Sequence, residues 1–310
     1  MILLCGIPSE TALAMVAAAL DARGADYTLM NQRHVREMAV ELDVDGPDLR
    51  GHLTGPGFDL DLDEITAVYL RFMDDRWLPE LTNEPAESAA RLASRALHDI
   101  IGGWADISSA LVVNRYTAMG SNFSKPFQAQ LIRDHGFDVP ATLVTNDPSQ
   151  VLEFRDAHGP LIYKSISSER SVVHRLDEKD LDRLERIRWC PVQFQAYIAG
   201  PNVRVHTVGE RVFATRIETD ATDYRYAVRQ TGRAALFSAY ELGTEISERC
   251  VRLARSLGLE VAGIDLKLAP DGRVVCLEVN PSPVFSYYEL NTSQPIADAV
   301  AGLLLEGNGR

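Results

Sequence analysis

A chain of 310 residues is long enough to bury one large core or to divide into two or three compact lobes. Its 46% hydrophobic and 24% charged residues, with no dominant residue type, are ordinary for a globular protein. The formal net charge of −13 argues against a nucleic-acid partner, which needs a basic face, yet leaves room for a local basic pocket.

Residues 1–114 alternate strand-like and helix-like segments, the pattern of a small open α/β sheet. Residues 2–5 are a short buried-strand run, followed by a turn at 6–9. Between 10 and 23, Leu13, Val16, Ala17 and Leu20 recur at helical spacing, and Gly24 ends the helix. Further strands are expected at 27–30, 67–70 and 111–113, with a helix at 88–101. Gly6 alone makes no dinucleotide fingerprint, because two further glycines are missing; the lobe is Rossmann-like without a nicotinamide site.

From about residue 121 to 190 a second region follows. Pro126 suits the first turn of a helix that runs to His135 and ends at Gly136. Strands at 142–145 and 160–164 flank a helix at 148–158. From about 191, alternating runs at 202–208 and 211–217 are joined by Gly209-Glu210, a hairpin signal. A helix at 244–257 leads to a second hairpin, 261–268 and 273–279, turning through Asp271-Gly272; a helix at 296–305 follows.

Cys5, Cys190, Cys250 and Cys276 include no Cys-x-x-Cys pair and have no His at metal-ligand spacing, the pattern of reduced, buried thiols in a cytoplasmic protein. The apolar start, Met1 to Gly6, is too short for a signal peptide or a membrane span and has no basic region before it. His98, His135, His158, His174 and His206 lack partner motifs, and no nucleophilic triad is evident.

The chemistry concentrates in Gly263-Ile-Asp265-Leu-Lys267, the turn at Asp271-Gly272, and Cys276-Leu-Glu278-Val-Asn280-Pro-Ser-Pro283. Strand alternation puts Cys276, Glu278 and Asn280 on one face and Leu277 and Val279 on the other, while Asp265 and Lys267 share a face. A hairpin can set Asp265 beside Glu278. Two carboxylates and an amide oxygen are the hard donors that Mg²⁺ takes, and a cation explains why two like charges are tolerated so close together. The plainer alternative is that both acids stand on the solvated face of a hairpin.

With the short Glu-x-Asn-Pro run, this stretch resembles the catalytic core of the ATP-grasp superfamily, especially the ribosomal-protein glutamate ligases and the microviridin-type (graspetide) peptide macrocyclases. The resemblance covers about residues 111–305 and, more weakly, the N-terminal lobe. It implies an α/β chain of α+β lobes: a Rossmann-like domain at 1–114, a small central lobe at 115–190 and a C-terminal catalytic lobe at 191–310. Asp265, Glu278 and Asn280 would bind two Mg²⁺ ions, for which Mn²⁺ can substitute. Lys125 and Lys164 would reach ATP phosphates or the base, and the segment with Gln195, Ala196, Tyr197 and Ile198 would be the hinge whose backbone binds adenine. Arg204 and Arg225 match arginines near phosphate or substrate, with Arg216 and Arg229 held second.

Departures from the pattern narrow the reading. Ala196 stands where many relatives carry Glu, and residues 165–171 lack the glycines of the usual phosphate-covering loop. Tyr226 follows Arg225 where glutamate-adding relatives often have Asn, which speaks against ordinary glutamate addition. The implied activity is ADP-forming ligation through an acyl phosphate, giving an amide or ester on a peptide or amino-acid substrate of specialised metabolism or peptide modification. Residues 67–72 and 140–147 resemble the macrocyclase branch. No nucleic acid or membrane partner is expected, and a homodimer is the assembly common among relatives. An ATP-binding regulatory protein without turnover is the alternative. Tyr287 and Tyr288, just after the metal strand, either line the acceptor pocket or pack in the core.

Overall fold

The computed structural model describes residues 1–45, 48–166 and 172–307. Strand β1 (Ile2–Gly6) is buried along its whole length, as an apolar run without alternation requires of a strand covered on both faces. Glu10 caps helix α1 (Thr11–Asp21) by accepting from Leu13 N at 2.7 Å. Strand β2 (Tyr27–Asn31) leads to an antiparallel meander of β3 (Ala39–Asp45), β4 (Asp48–Gly55) and β5 (Phe58–Asp61). Strand β6 (Ala67–Arg71), helix α2 (Ala89–Ile107) and strand β7 (Leu111–Val113) complete the lobe.

The parallel order β2-β1-β6-β7 carries cores on both faces. Ile2, Leu4 and Tyr69 face α1 and a helix from residues 296–307, while Leu3, Cys5 and Leu70 face Ile101 and Trp104 of α2 and Leu53 of the meander. The meander escaped the sequence reading because its residues are rich in Asp and Gly, which strands disfavour. Helix α2 also runs six residues past the expected end at 101.

The middle region contains α3 (Tyr116–Met119), α4 (Lys125–Asp134), β8 (Thr142–Thr145), α5 (Pro148–His158), β9 (Leu161–Ser165), β10 (His174–Arg175), α6 (Glu178–Leu181) and β11 (Val192–Ala196). Its antiparallel sheet has the order β10-β9-β11-β8, so the sheet extends past residue 190. Val151, Leu161, Leu184 and Phe194 form its core. Helix α4 packs elsewhere: its Ile132 joins the core of the next region.

That region has β12 (Asn202–Val208), β13 (Arg211–Glu218), α7 (Ala227–Thr231), β14 (Leu236–Tyr240), α8 (Thr244–Ser256), β15 (Val261–Leu268), β16 (Val274–Asn280), α9 (Ser286–Thr292) and α10 (Ile296–Gly307). Its five strands run antiparallel in the order β14-β13-β12-β15-β16. Val203, Val205, Ile264 and Leu266 pack against Cys250, Leu253 and Ala254 of α8, and the alternate residues face a cavity.

Two expectations need correction. Ladder pairs run Asp265↔Glu278 and then Leu266↔Cys276, so Leu277 is the extra residue of a β-bulge. The bulge inverts the alternation: Cys276 is buried in the α8 core, and Leu277 lines the cavity beside Glu278. Cys190 is exposed, whereas Cys5, Cys250 and Cys276 are buried.

Candidate active site

A cavity of about 940 Å³ opens between the middle sheet and the five-stranded sheet. Three strands carry one charged row across its floor: Arg204 of β12 pairs with Asp265 of β15, which pairs with Glu278 of β16. Arg204 Nη1 donates to Asp265 Oδ2 at 2.8 Å, and the guanidinium is buried. Gly263 makes room for it, because a Cβ there would collide with Arg204 Nη2 and lie 2.8 Å from Pro283 Cβ.

Lysines close the other side. Lys125 is the first residue of α4, after Ser124 at the N-cap, and its Nζ lies 3.2 Å from Glu278 Oε2. It also donates to Asn122 Oδ1 at 2.7 Å. Lys164 reaches in from β9, its Nζ 3.9 Å from the same Glu278 oxygen. Burial lowers the Lys164 pKa, with Glu278 opposing and Lys125 adding to the shift.

The two acids diverge electrostatically. Burial raises the Asp265 pKa, and the Glu278 charge adds to this although Arg204 opposes it. Burial also pushes Glu278 up, but Lys125 and Lys164 outweigh it, leaving that carboxyl below its ordinary value. Asn280 lines the same cavity, its Oδ1 accepting from Ser282 N at 2.9 Å. Two carboxylates paired across neighbouring strands, plus an amide oxygen lining the same cavity, suit a hard divalent cation with few protein ligands.

Gln195, Ala196, Tyr197 and Ile198 line the far wall. The N–H groups of Ala196 and Tyr197 are already committed, to Ala141 O at 2.9 Å and Pro160 O at 2.8 Å. Gln195 Nε2 donates to Thr142 Oγ1 at 3.0 Å. Arg225 also lines the cavity and is held by Asp223, Nε to Oδ1 at 2.9 Å and Nη2 to Oδ2 at 2.7 Å. Arg216 and Arg229 are not among the lining residues; Arg216 Nε sits 3.1 Å from Glu218 Oε1. Residues 167–171 of the glycine-free loop lie outside the described residues.

Tyr288 is buried and lines the cavity, its hydroxyl 2.8 Å from that of Tyr224, whereas Tyr287 is exposed. His206 is fully buried in the row behind Arg204; burial, with Arg204 beside it, pushes its pKa well down, so the neutral ring can accept from Arg204 Nε at 3.5 Å.

Sequence reasoning missed the supports of the 280–283 turn. Asn114, after β7, donates to Val261 O at 2.6 Å and Pro281 O at 2.5 Å and accepts from Glu260 N and Val261 N. Arg71, ending β6, donates to Ser282 Oγ at 3.0 Å and Glu10 Oε1 at 2.8 Å. A charged residue closing an apolar strand was the available signal for Arg71.

Residues 124–304 match the RimK-like ATP-grasp domain. A probable alpha-L-glutamate ligase of Shewanella frigidimarina is 26% identical over 207 residues, 63% of this chain and 68% of that protein. A structure of the ATP-grasp ligase PsnB, complexed with a phosphomimetic variant of minimal precursor, Mg and ADP, is 30% identical with a TM-score of 0.81, covering 99% of this chain and 98% of that one. The macrocyclase MdnC of Microcystis aeruginosa, bound with precursor peptide MdnA, is 25% identical with a TM-score of 0.79 over 98% and 99%. Fold and cavity together are those of an ATP-dependent ligase. The chain belongs to the RimK-like ATP-grasp family. Among the described residues no helix is long and apolar enough to cross a membrane.

Proposed function

We propose that the cavity activates a carboxylate of a peptide, or of an amino acid, with Mg²⁺-ATP and joins it to an amine or hydroxyl. The observation that carries this reading is the cross-strand pairing of Asp265 with Glu278, with lysines on one side and Arg204 on the other. Asp265, Glu278 and Asn280 would hold two Mg²⁺ ions, or Mn²⁺ in their place. The cations would screen the charge of the phosphates.

Lys125 and Lys164 bind phosphate oxygens from the side of α4 and β9. Ile198 supplies the N–H for adenine, because those of Ala196 and Tyr197 already serve Ala141 and Pro160. Arg204 and Arg225 bind the acceptor carboxylate and the phosphoryl group in flight. The carboxylate oxygen bonds to Pγ as the bond from Pγ to the bridging oxygen breaks, releasing ADP. The nucleophile then attacks the acyl carbon, loses its proton and displaces phosphate. Positioning and charge neutralisation supply most of the rate in such transfers.

A peptide substrate is supported by the cavity's size, by Tyr224 and Tyr288 in its lining, and by the precursor peptides in the PsnB and MdnC complexes. A homodimer belongs to this reading and is tested by sedimentation. The central experiment measures ADP release from Mg²⁺-ATP with a panel of amino acids and acidic peptides, with product masses followed in parallel. Acceptor-dependent release, loss of water from a peptide and abolition by Glu278→Ala are expected. ADP release that no acceptor stimulates would overturn the ligation reading; ligation of free amino acids alone would overturn the peptide.

A further inference from the structure

Strand β16 is the edge of its sheet, so among the described residues its outer backbone groups have no strand to pair with. Near its start Asp138 substitutes, bridging Val275 and accepting from Cys276 N at 2.8 Å. Near its end one side chain does both halves of a strand's work. Val279 N donates to Gln128 Oε1 at 3.0 Å, and Gln128 Nε2 donates to Val279 O at 2.8 Å. Gln128 is 1% exposed and Val279 fully buried, so neither backbone group has water in its place.

Val279 is the residue between Glu278 and Asn280, and the ladder on its inner side is interrupted by the bulge at Leu277. A bulge disrupts the ladder locally, bends its strand and increases the local twist, so the direction of the residues beside it is not set by the ladder alone. Gln128 also stands one helical turn after Lys125, on the same face of α4. That face therefore delivers an ammonium to the Glu278 carboxylate and an amide to the backbone next to it.

We propose that Gln128 is a positioning residue for the divalent-cation site: clamping both backbone groups of Val279 sets the directions in which Glu278 and Asn280 point. The inference rests on the reading of Asp265, Glu278 and Asn280 as the cation's ligands. Outer partners of metal ligands are commonly worth about 10- to 100-fold in affinity.

An internal control exists. Gln32 makes the same clamp in the first lobe, donating to Met73 O and accepting from Met73 N, each at 2.7 Å, and it is also buried. Gln128→Met and Gln32→Met each delete one such pair of bonds. Free Mn²⁺ is followed by its paramagnetic resonance signal in titrations of wild type, both variants and Glu278→Gln, all with ADP present, alongside thermal melting.

Both Met variants are expected to melt lower, with Mn²⁺ binding weakened about tenfold or more in Gln128→Met and unchanged in Gln32→Met. Gln128→Met that binds Mn²⁺ like wild type, or Gln32→Met that weakens binding as much, overturns the inference. If Gln128→Met fails to fold, Gln128→Asn, one methylene too short to reach Val279, takes its place, with the same result expected and the same results overturning the inference. Wild type that binds no Mn²⁺, or Glu278→Gln that binds it normally, overturns the ligand reading and this inference with it; in every other outcome the ligand reading stands.

Discussion

Arg204 and Asp265 face each other across neighbouring strands, the guanidinium donating to the carboxylate at 2.8 Å with the arginine side chain only 6% exposed. Neither charge can be removed without stranding the other. Arg204→Met leaves Asp265, partly buried beside Glu278, without its guanidinium partner, and breaking a buried pair in this way costs about 3–5 kcal/mol. Denaturant unfolding of the variant measures that loss, and its ADP release is expected to be abolished.

Gly263→Ala places a methyl group where Arg204 Nη2 lies. The guanidinium must shift, so activity is expected to fall together with stability. Overpacking of this kind costs about 1–3 kcal/mol, which a melting curve resolves separately from the assay.

Glu278→Gln removes the carboxylate on which Lys125 and Lys164 converge. Two ammonium groups then face each other without that carboxylate between them. Acceptor-dependent ADP release is expected to drop by more than the roughly 100-fold typical of losing an outer partner of a metal ligand. Equal activity in the variant and wild type would show that the pair of acids is structural.

Asp75 gives a pH-dependent test away from the cavity. A hydrogen bond from Arg95 holds its carboxyl below the ordinary value; partial burial opposes it and a second bond, from Arg91, adds to it. The folded state thus binds this proton less tightly than the unfolded chain. The stabilisation is present above the ordinary aspartate pKa and is lost as the pH falls through the depressed one. Asp75→Asn is expected to cost about 1–3 kcal/mol near neutral pH, with the gap to wild type closing in acid; urea melts across the pH range measure it.

Thiol titration separates the cysteines. Burial pushes the Cys250 thiol up to about 12, and Cys5 and Cys276 shift upward for the same reason, while Cys190 is exposed. One thiol per chain is expected to react quickly with an aromatic disulfide in the native protein, and all four after denaturation.

Local signals carried far in this chain. Helix α5 spans the expected 148–158, and strands 202–208 and 261–268 run as expected. The pairing of Asp265 with Glu278 follows from two strands and a turn. The bulge does not: one extra residue in the ladder sent Cys276 to the core and Leu277 to the cavity, and nothing in the spacing announces it. Asn114, Gln128 and Arg71 were missed for a different reason. Each acts on backbone 147 to 212 residues away, so its partner is created only by the tertiary fold. The acidic meander at 39–61 is held through Leu53 and Leu60 by the first lobe's core, which overrides weak strand propensity.

The first lobe's inner face is shared between Ile2, Leu4 and Leu13 at one end of the sequence and Ile296, Val300 and Leu304 at the other. On a ribosome adding about 5–20 residues per second, the early strands emerge on the order of 15–60 s before the helix that covers them. During that interval that face of the parallel sheet lacks the C-terminal helix that packs on it. Chains truncated before residue 296 should therefore bind hydrophobic-surface chaperones far more than chains that include residues 296–307.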